Sequence, residues 1–400
     1  MSLELSKKAI NIKPSSTLAI TAKANEMRQA GMDVVGFGAG EPDFPTPKHI
    51  CLAAKEAIDE GFTKYTPASG TLELKEAIAK KFRDVNGIDY AANQVVISNG
   101  GKHSLTNVFT AIINEGDEVI IPSPYWLSYP EIVKLAGGVP VIIRGEKEHN
   151  YKVSARQIEE ACTEKTKAVI INSPNNPTGM VYCRNELERI AEAAVRKNIY
   201  VVSDEIYENL LYNSEEHVSI ASLGEEIYKR TITVNGLSKS YAMTGWRIGY
   251  CGAPKEIAAV MSSVQSHQTS NPNSIAQKAA VAAIAGDQTC VSEMSEKFDE
   301  RRRFMFERIC KIPYLSAIEP KGAFYVFVDA GEMAGKKYEG RIINDASDIA
   351  DILISEYCVA IIPCADFGCP NHFRLSYSIA VEKIDKGLER IREFAGKLED

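Results

Sequence analysis

The chain has 400 residues, 45 % of them hydrophobic and 25 % charged, with a formal charge of −7 at neutral pH. That size builds one large or two ordinary domains around a sizeable core, and the acidic balance excludes a protein whose main work is neutralising nucleic-acid phosphates. No uninterrupted apolar run of about 18 residues exists, and the opening "MSLELSKKAINIKPSS" lacks the basic, apolar, small order of a secretory signal, so no membrane partner is expected and the chain reads as cytoplasmic.

Residues 1–45 hold a predicted helix, "TLAITAKANEMRQAG", and the Gly/Pro-rich "GFGAGEPDFPTP", and are expected to form an arm packing with the small domain. "GFGAGE" is no dinucleotide fingerprint, because its spacing is GxGxG and Pro42, Pro45 and Pro47 keep a helix from opening there. From about 48 to 254, short β-branched runs alternate with stretches of helical length. The runs are 94–98, 117–122, 139–145, 167–174, 199–205, 231–236 and 247–254. This order predicts an α/β fold, a mostly parallel seven-stranded sheet covered by helices, within a large domain over 46–290. Leu187, Ile190, Ala191, Ala194 and Val195 mark one buried helical stripe, and Ser154 with Gln157 makes a capping box. Residues 291–400 read as a smaller α+β domain. It has a long charged helix (288–311), "GAFYVFVDA", a helix over 345–357, "VAIIPC", "HFRLSYSI" and a last helix. Nine scattered cysteines without CxxC or zinc-finger histidine spacing predict buried reduced thiols and no metal site.

Open α/β sheets bind ligands beyond the carboxyl ends of their strands. "QVVIS" leads into "NGGKHSLTNVFTAII", where Asn99, Gly100 and Gly101 precede a helix whose free N–H groups favour an anion; the plainer alternative is a glycine turn capped by Asn99. It is not a nucleotide P-loop, since Val96 and His103 stand where that motif needs Gly and Ser or Thr. "IYVVSDE" ends on Asp204, with Tyr207 three residues on; a carboxylate there needs a cation or donor, or else caps a helix. "INSPNNPTG" holds Asn175 and Asn176 in a proline-bounded turn. "TITVNG" leads into Ser238 and Lys239, with Arg247 eight residues later. A lysine is ordinarily a solvated surface cation. In apolar surroundings beside a fixed positive charge its pKa falls instead, giving a nucleophilic amine suited to Schiff-base chemistry. Amine, carboxylate, polar donors and an anion cup are the companions pyridoxal phosphate needs.

"AGEPDF", "SPNNPTG", "SDEIY", "SKSYAMTGWRIGY" and "FRLSY" run through nearly the whole chain in order. With them the chain resembles the fold-type I, class I aminotransferases, most closely the bacterial aspartate aminotransferase subgroup. The resemblance implies that Lys239 carries pyridoxal 5'-phosphate covalently and acts as the base, that Asp204 pairs with the ring nitrogen, and that Asn176 and Tyr207 contact the phenolic oxygen. It implies that Arg247, Ser238 and the backbone of Gly100, Gly101 and Lys102 hold the phosphate and that Trp126 stacks on the ring. Tyr65 matches a tyrosine that reaches the phosphate of a neighbouring subunit, so a homodimer with shared sites is expected. Arg374 matches the arginine that grips the substrate α-carboxylate, beside Asn176 and Trp126, and Gly40 matches the glycine that lets backbone approach the same carboxylate. The arginine that some members place just before an "SNP" segment is missing from "VQSHQTSNP". Lys102, Ser15 and Thr17 match the groups the bacterial subgroup uses for the distal carboxylate instead, which points to L-aspartate and 2-oxoglutarate in a ping-pong sequence. Aromatic amino acids, prephenate, alanine and kynurenine are alternative substrates, and β-elimination of a C–S bond is an alternative chemistry. A non-catalytic regulator is disfavoured, because the arm has no basic recognition helix. Closure of the small domain, which carries Arg374, is expected.

Overall fold

The computed structural model describes residues 3–400. Seven strands, β1 (Val95–Ser98), β2 (Glu118–Ser123), β3 (Val139–Arg144), β4 (Thr166–Asn172), β5 (Tyr200–Asp204), β6 (Thr231–Gly236) and β7 (Gly249–Gly252), form one sheet. Its order is β1-β7-β6-β5-β4-β2-β3. Helices cover both faces, so β1, β6 and β7 are buried throughout and β2, β4 and β5 mostly so, whereas β3 lies at an edge and is partly exposed.

The sheet is parallel except for β7, which runs antiparallel to both β1 and β6. The reason is the connection. A parallel neighbour needs a crossover, usually a helix, and residues 237–248 contain only turns before β7 begins. The helix predicted at 187–195 spans Arg184–Lys197 with Leu187, Ile190, Ala191 and Ala194 buried; Val195 is only partly buried. Ser154 caps the helix Ala155–Ala161 through the expected Ser154–Gln157 box.

A second, antiparallel sheet holds Ile362–Pro363, His372–Ser376, Tyr325–Asp329 and Ser316–Ala317 in that order. The helices Thr289–Ile309, Ala346–Glu356 and Val381–Ala395 share its core, where Phe298, Met305, Leu353 and Phe394 meet Phe324 and Phe373. The first two residues of the expected arm lie outside those described. Its helix, Ser16–Gln29, buries Ala24 with Val34, Ile354 and Ala360, and the short strand Val35–Gly36 pairs in parallel with Val359–Ala360. All nine cysteines are free; Cys251, Cys364 and Cys369 are buried, but Cys183 and Cys310 are exposed, contrary to the expectation of uniformly buried thiols. Among the described residues no helix is long and apolar enough to cross a membrane.

Candidate active site

The carboxyl ends of β1, β5 and β6, the arm and the strand His372–Ser376 enclose a cavity of about 680 Å³, within the size range of small-ligand sites. Lys239, Ser238, Asp204, Tyr207, Asn176 and Arg374 line it, as do Lys102, Gly101, Trp126 and Arg247 on the phosphate-loop side and Ser15, Thr17 and Gly40 on the arm side. Gly100 sits behind Arg247 at the same end. Of the sequence-selected residues only Tyr65 lies elsewhere, 91 % exposed on the outer surface of its own chain.

Lys239 follows β6, whose residues are all buried. Its Nζ donates to the Gly40 carbonyl and lies 5.9 Å from the centre of the Tyr207 ring. Burial is the main cause that lowers its pKa to about 8; the like charge of Arg374 adds to this more than that of Arg247, the neighbour that sequence proximity suggested. Arg374, 135 residues further along the chain, is brought close only by the fold.

Asp204 ends β5 opposite Asn172 of β4 and Val234 of β6. No helix follows it, so the helix-cap alternative fails; its Oδ1 accepts from the Ile206 N–H at 3.2 Å and its Oδ2 from the Tyr129 hydroxyl at 2.7 Å. It is 5 % exposed, and burial raises its pKa to about 6. A carboxylate so enclosed calls for a positive partner in the cavity. Asn176 is fixed by the Asn172 side chain, which accepts from its backbone N–H at 2.9 Å while donating to the Asp204 carbonyl.

Arg374 lies mid-strand opposite Phe327 and is 2 % exposed. It donates to Asn176 Oδ1 at 2.9 Å and the Gly38 carbonyl at 3.4 Å, and stacks 4.2 Å from the Tyr325 ring centre, yet among the described residues no carboxylate pairs with it and its Nε is buried without an acceptor. Such a planar cation is ready for a bidentate carboxylate. At Gly40 an added Cβ would meet only Tyr325 Oη at 3.7 Å, so the protein itself does not crowd that position.

The helix Gly101–Ile112 begins at Gly100 with no side-chain cap; Asn99 bonds instead to His103 and Thr269. Gly100 has φ +91°, and a Cβ there would come within 2.2 Å of the Arg247 guanidinium. Uncapped N–H groups, a helix dipole and Arg247 form an anion cup. Lys102, its pKa lowered by burial and then by Arg247, stands 4.9 Å over the Trp126 ring. Ser15 caps the arm helix through the Leu18 N–H, and the hydroxyl of Thr17 is buried without a partner.

Side chains at the site that the sequence did not single out include Asn172, Tyr129, which donates to Asp204, and Tyr325, 3.0 Å from the Tyr207 hydroxyl and against Arg374. Tyr129 carried a faint signal, lying one helical turn after Trp126; Tyr325, inside an apolar strand, carried none.

The family described as aminotransferase class I and II matches residues 32–391. The chain is 49 % identical over 390 residues to an aspartate aminotransferase of Bacillus sp. (strain YM-2), covering 98 % of each. Among solved structures it is similar to the aspartate aminotransferase from Rhizobium meliloti (TM-score 0.96, 38 % identity, 100 % of both chains) and to that from Thermus thermophilus with maleate (TM-score 0.92, 42 % identity, 98 % of this chain and 100 % of that one).

Proposed function

Because the chain belongs to the class I and II aminotransferases, we propose that it moves the amino group of L-aspartate to 2-oxoglutarate in two half-reactions at the cavity described above. Enzymes of this family use pyridoxal 5'-phosphate. The residues present suit that group: a buried carboxylate lacking a positive partner, an uncapped helix start beside Arg247, and an amine of lowered pKa between them. In this reading Asp204 holds the ring nitrogen, Asn176 and Tyr207 the phenolic oxygen, Trp126 the ring face, and Gly100, Gly101, Lys102, Ser238 and Arg247 the phosphate. The bound cofactor supplies an electron-poor ring that spreads the negative charge left on the substrate Cα.

The protein's groups do the rest. Arg374 binds the α-carboxylate, with Gly40 leaving backbone room beside it, and so orients the Cα–H toward Lys239. Lys239 Nζ, largely neutral above about pH 8, would accept that proton, hold it at Nζ and return it on the same face of the cavity. Asp204, ionised above about pH 6, steadies positive charge at the far end of the cavity. Lys102, Ser15 and Thr17 receive the distal carboxylate; the unpartnered Thr17 hydroxyl and the absence of any carboxylate acting on Lys102 among the described residues support this. The small domain, residues 291–400, carries Arg374, and its closure over 46–290 would exclude water. A homodimer in the cytoplasm, with Tyr65 serving the partner's phosphate, completes the reading. The exposure of Tyr65, Leu3 and Leu5 supports the dimer.

The observation that carries it is Lys239 and Asp204 in one cavity with an unpaired Arg374. Purified protein given aspartate and 2-oxoglutarate should form oxaloacetate, and Lys239→Ala should reduce the rate by at least about 10³-fold. Turnover of another amino acid without oxaloacetate would remove the substrate assignment and leave the chemistry.

A further inference from the structure

Asp204 is the last residue of β5, its carbonyl accepting from the Ser173 N–H at 3.3 Å and the Asn172 side chain at 2.9 Å, and Tyr207 follows in a turn over 206–209 that is held by Glu205 N–H to the Val234 carbonyl at 2.9 Å, Glu208 N–H to the Glu205 carbonyl at 3.0 Å and Leu210 N–H to the Tyr207 carbonyl at 2.8 Å. The carboxylates that follow each of them, Glu205 and Glu208, are buried and do not line the cavity. Glu205 accepts from Ser203 at 2.8 Å, Ser219 at 2.7 Å and His217 Nε2 at 2.9 Å; Glu208 accepts from Lys81 and from Asn86 at 2.8 Å. Asn86 in turn accepts from Lys81 at 2.8 Å.

We propose that the buried pairs Lys81–Glu208 and His217–Glu205 are positioning residues, which hold the Asp204–Tyr207 turn in the geometry the cofactor needs. The proposal rests on the pyridoxal-phosphate reading above. Glu205, Glu208 and His217 do offer ligand atoms within 4.8 Å of one another. Lys81 is already bound to Glu208, however, and all four carboxylate oxygens have protein donors. The cluster is therefore read as two carboxylates met by the Lys81 ammonium and the His217 ring, not as a cation site. His217 is held toward the charged form by Glu205 against the effect of its burial, and Lys81 with His217 keeps Glu208 ionised.

Energetics point the same way. Burying ion pairs such as Lys81–Glu208 contributes little net stability, since desolvation offsets attraction, and apolar replacements of equal volume commonly fold as well. What such a network supplies is direction. Each hydrogen bond fixes a carboxylate, and each carboxylate fixes the backbone one residue after a cofactor ligand, 204 or 207. A shift of about 1 Å in such ligands can cost on the order of 100-fold in rate.

The test measures pyridoxal phosphate binding to cofactor-free protein by tryptophan fluorescence, which Trp126 reports from inside the cavity, and the visible circular dichroism of the bound chromophore. Lys81→Met with Glu208→Leu removes both charges together. We expect it to fold and to bind the cofactor at least about tenfold more weakly with altered dichroism, because outer-shell partners typically carry effects of that size. Thr71→Ala, which removes the N-cap of the helix Leu72–Asn86 that carries Lys81, should lower the melting temperature and leave cofactor affinity unchanged. That comparison separates positioning from general destabilisation. If the double variant does not fold, His217→Gln, which keeps the donor, is set against His217→Leu, which does not; weaker binding by the leucine variant alone is expected. Wild-type affinity and dichroism in the double variant, or in His217→Leu, would overturn the proposal. An unsubstituted protein that binds no pyridoxal phosphate would overturn the functional reading beneath it.

Discussion

Asp204 is stabilised in opposite senses by the empty and the filled cavity. Its folded pKa of about 6 lies above the ordinary value of 3.8 because burial disfavours the charged form. The native state therefore binds the proton more tightly than the unfolded chain, so stability is highest below about pH 4, falls as pH rises toward 6, and carries the full cost above that. The difference amounts to roughly 3 kcal/mol. Cofactor-free Asp204→Asn should accordingly melt higher than cofactor-free wild type at pH 8, the gap closing as pH falls through 6 toward 4, while the cofactor-loaded variant should melt lower than loaded wild type. Calorimetry on both forms across that range checks the sign. Lys239 permits a parallel prediction. Arg374 is the largest like charge on it, so Arg374→Met should raise its pKa, read as an upward shift in the pH of half-maximal acylation in cofactor-free protein. The sequence made the lysine and aspartate legible because each is a charged group ending an apolar run. It could not rank Arg374 above Arg247, since 135 residues separate Arg374 from Lys239 in the chain, nor single out Tyr129 or Tyr325, whose hydroxyls look like core aromatics until their neighbours are known.

Local rules account for the helices and strands better than for their directions. Short β-branched runs and one-sided helical stripes follow from side-chain periodicity, and all seven strands lie where the runs placed them. The reversal of β7 was not legible, because turn residues between two apolar runs do not say which way the second will run. The start of Gly101–Ile112 joins element to function most directly. Its N-cap glycine adopts φ +91° and ψ 161°, a region essentially confined to glycine and costing other residues about 1–3 kcal/mol. A methyl group would also strike Arg247. Gly100→Ala should therefore lower stability by about that amount and weaken pyridoxal phosphate more than the unphosphorylated pyridoxal. Titrating both ligands separates a lost anion cup from a general defect; equal losses would assign the effect to folding alone.

In the proposed dimer, completeness of the site turns on Tyr65 of the neighbouring chain. Tyr65 is exposed on a surface away from the cavity, and Leu3, Leu5 and Ile10 stand unburied on the arm. Apolar side chains in that number call for a partner surface, and a two-fold dimer gives each chain the same partner patch. If Tyr65 serves the neighbouring site, Tyr65→Ala leaves a chain whose own Lys239 is intact and whose contribution to the other site is lost. Lys239→Ala does the reverse. In a hybrid of the two, one site joins the intact lysine of the first chain to the intact tyrosine of the second, and the other site lacks both. Mixing, dissociating and reassociating equal amounts should thus return activity: half of the dimers would be hybrids with one sound site of two, about a quarter of the wild-type rate for a symmetric pair. Neither parent should approach that value, since Lys239→Ala has no base and Tyr65→Ala holds the phosphate weakly in both sites. Recovery absent from a mixture in which sedimentation and mass spectrometry establish hybrid dimers would show that Tyr65 acts within its own chain or not at all.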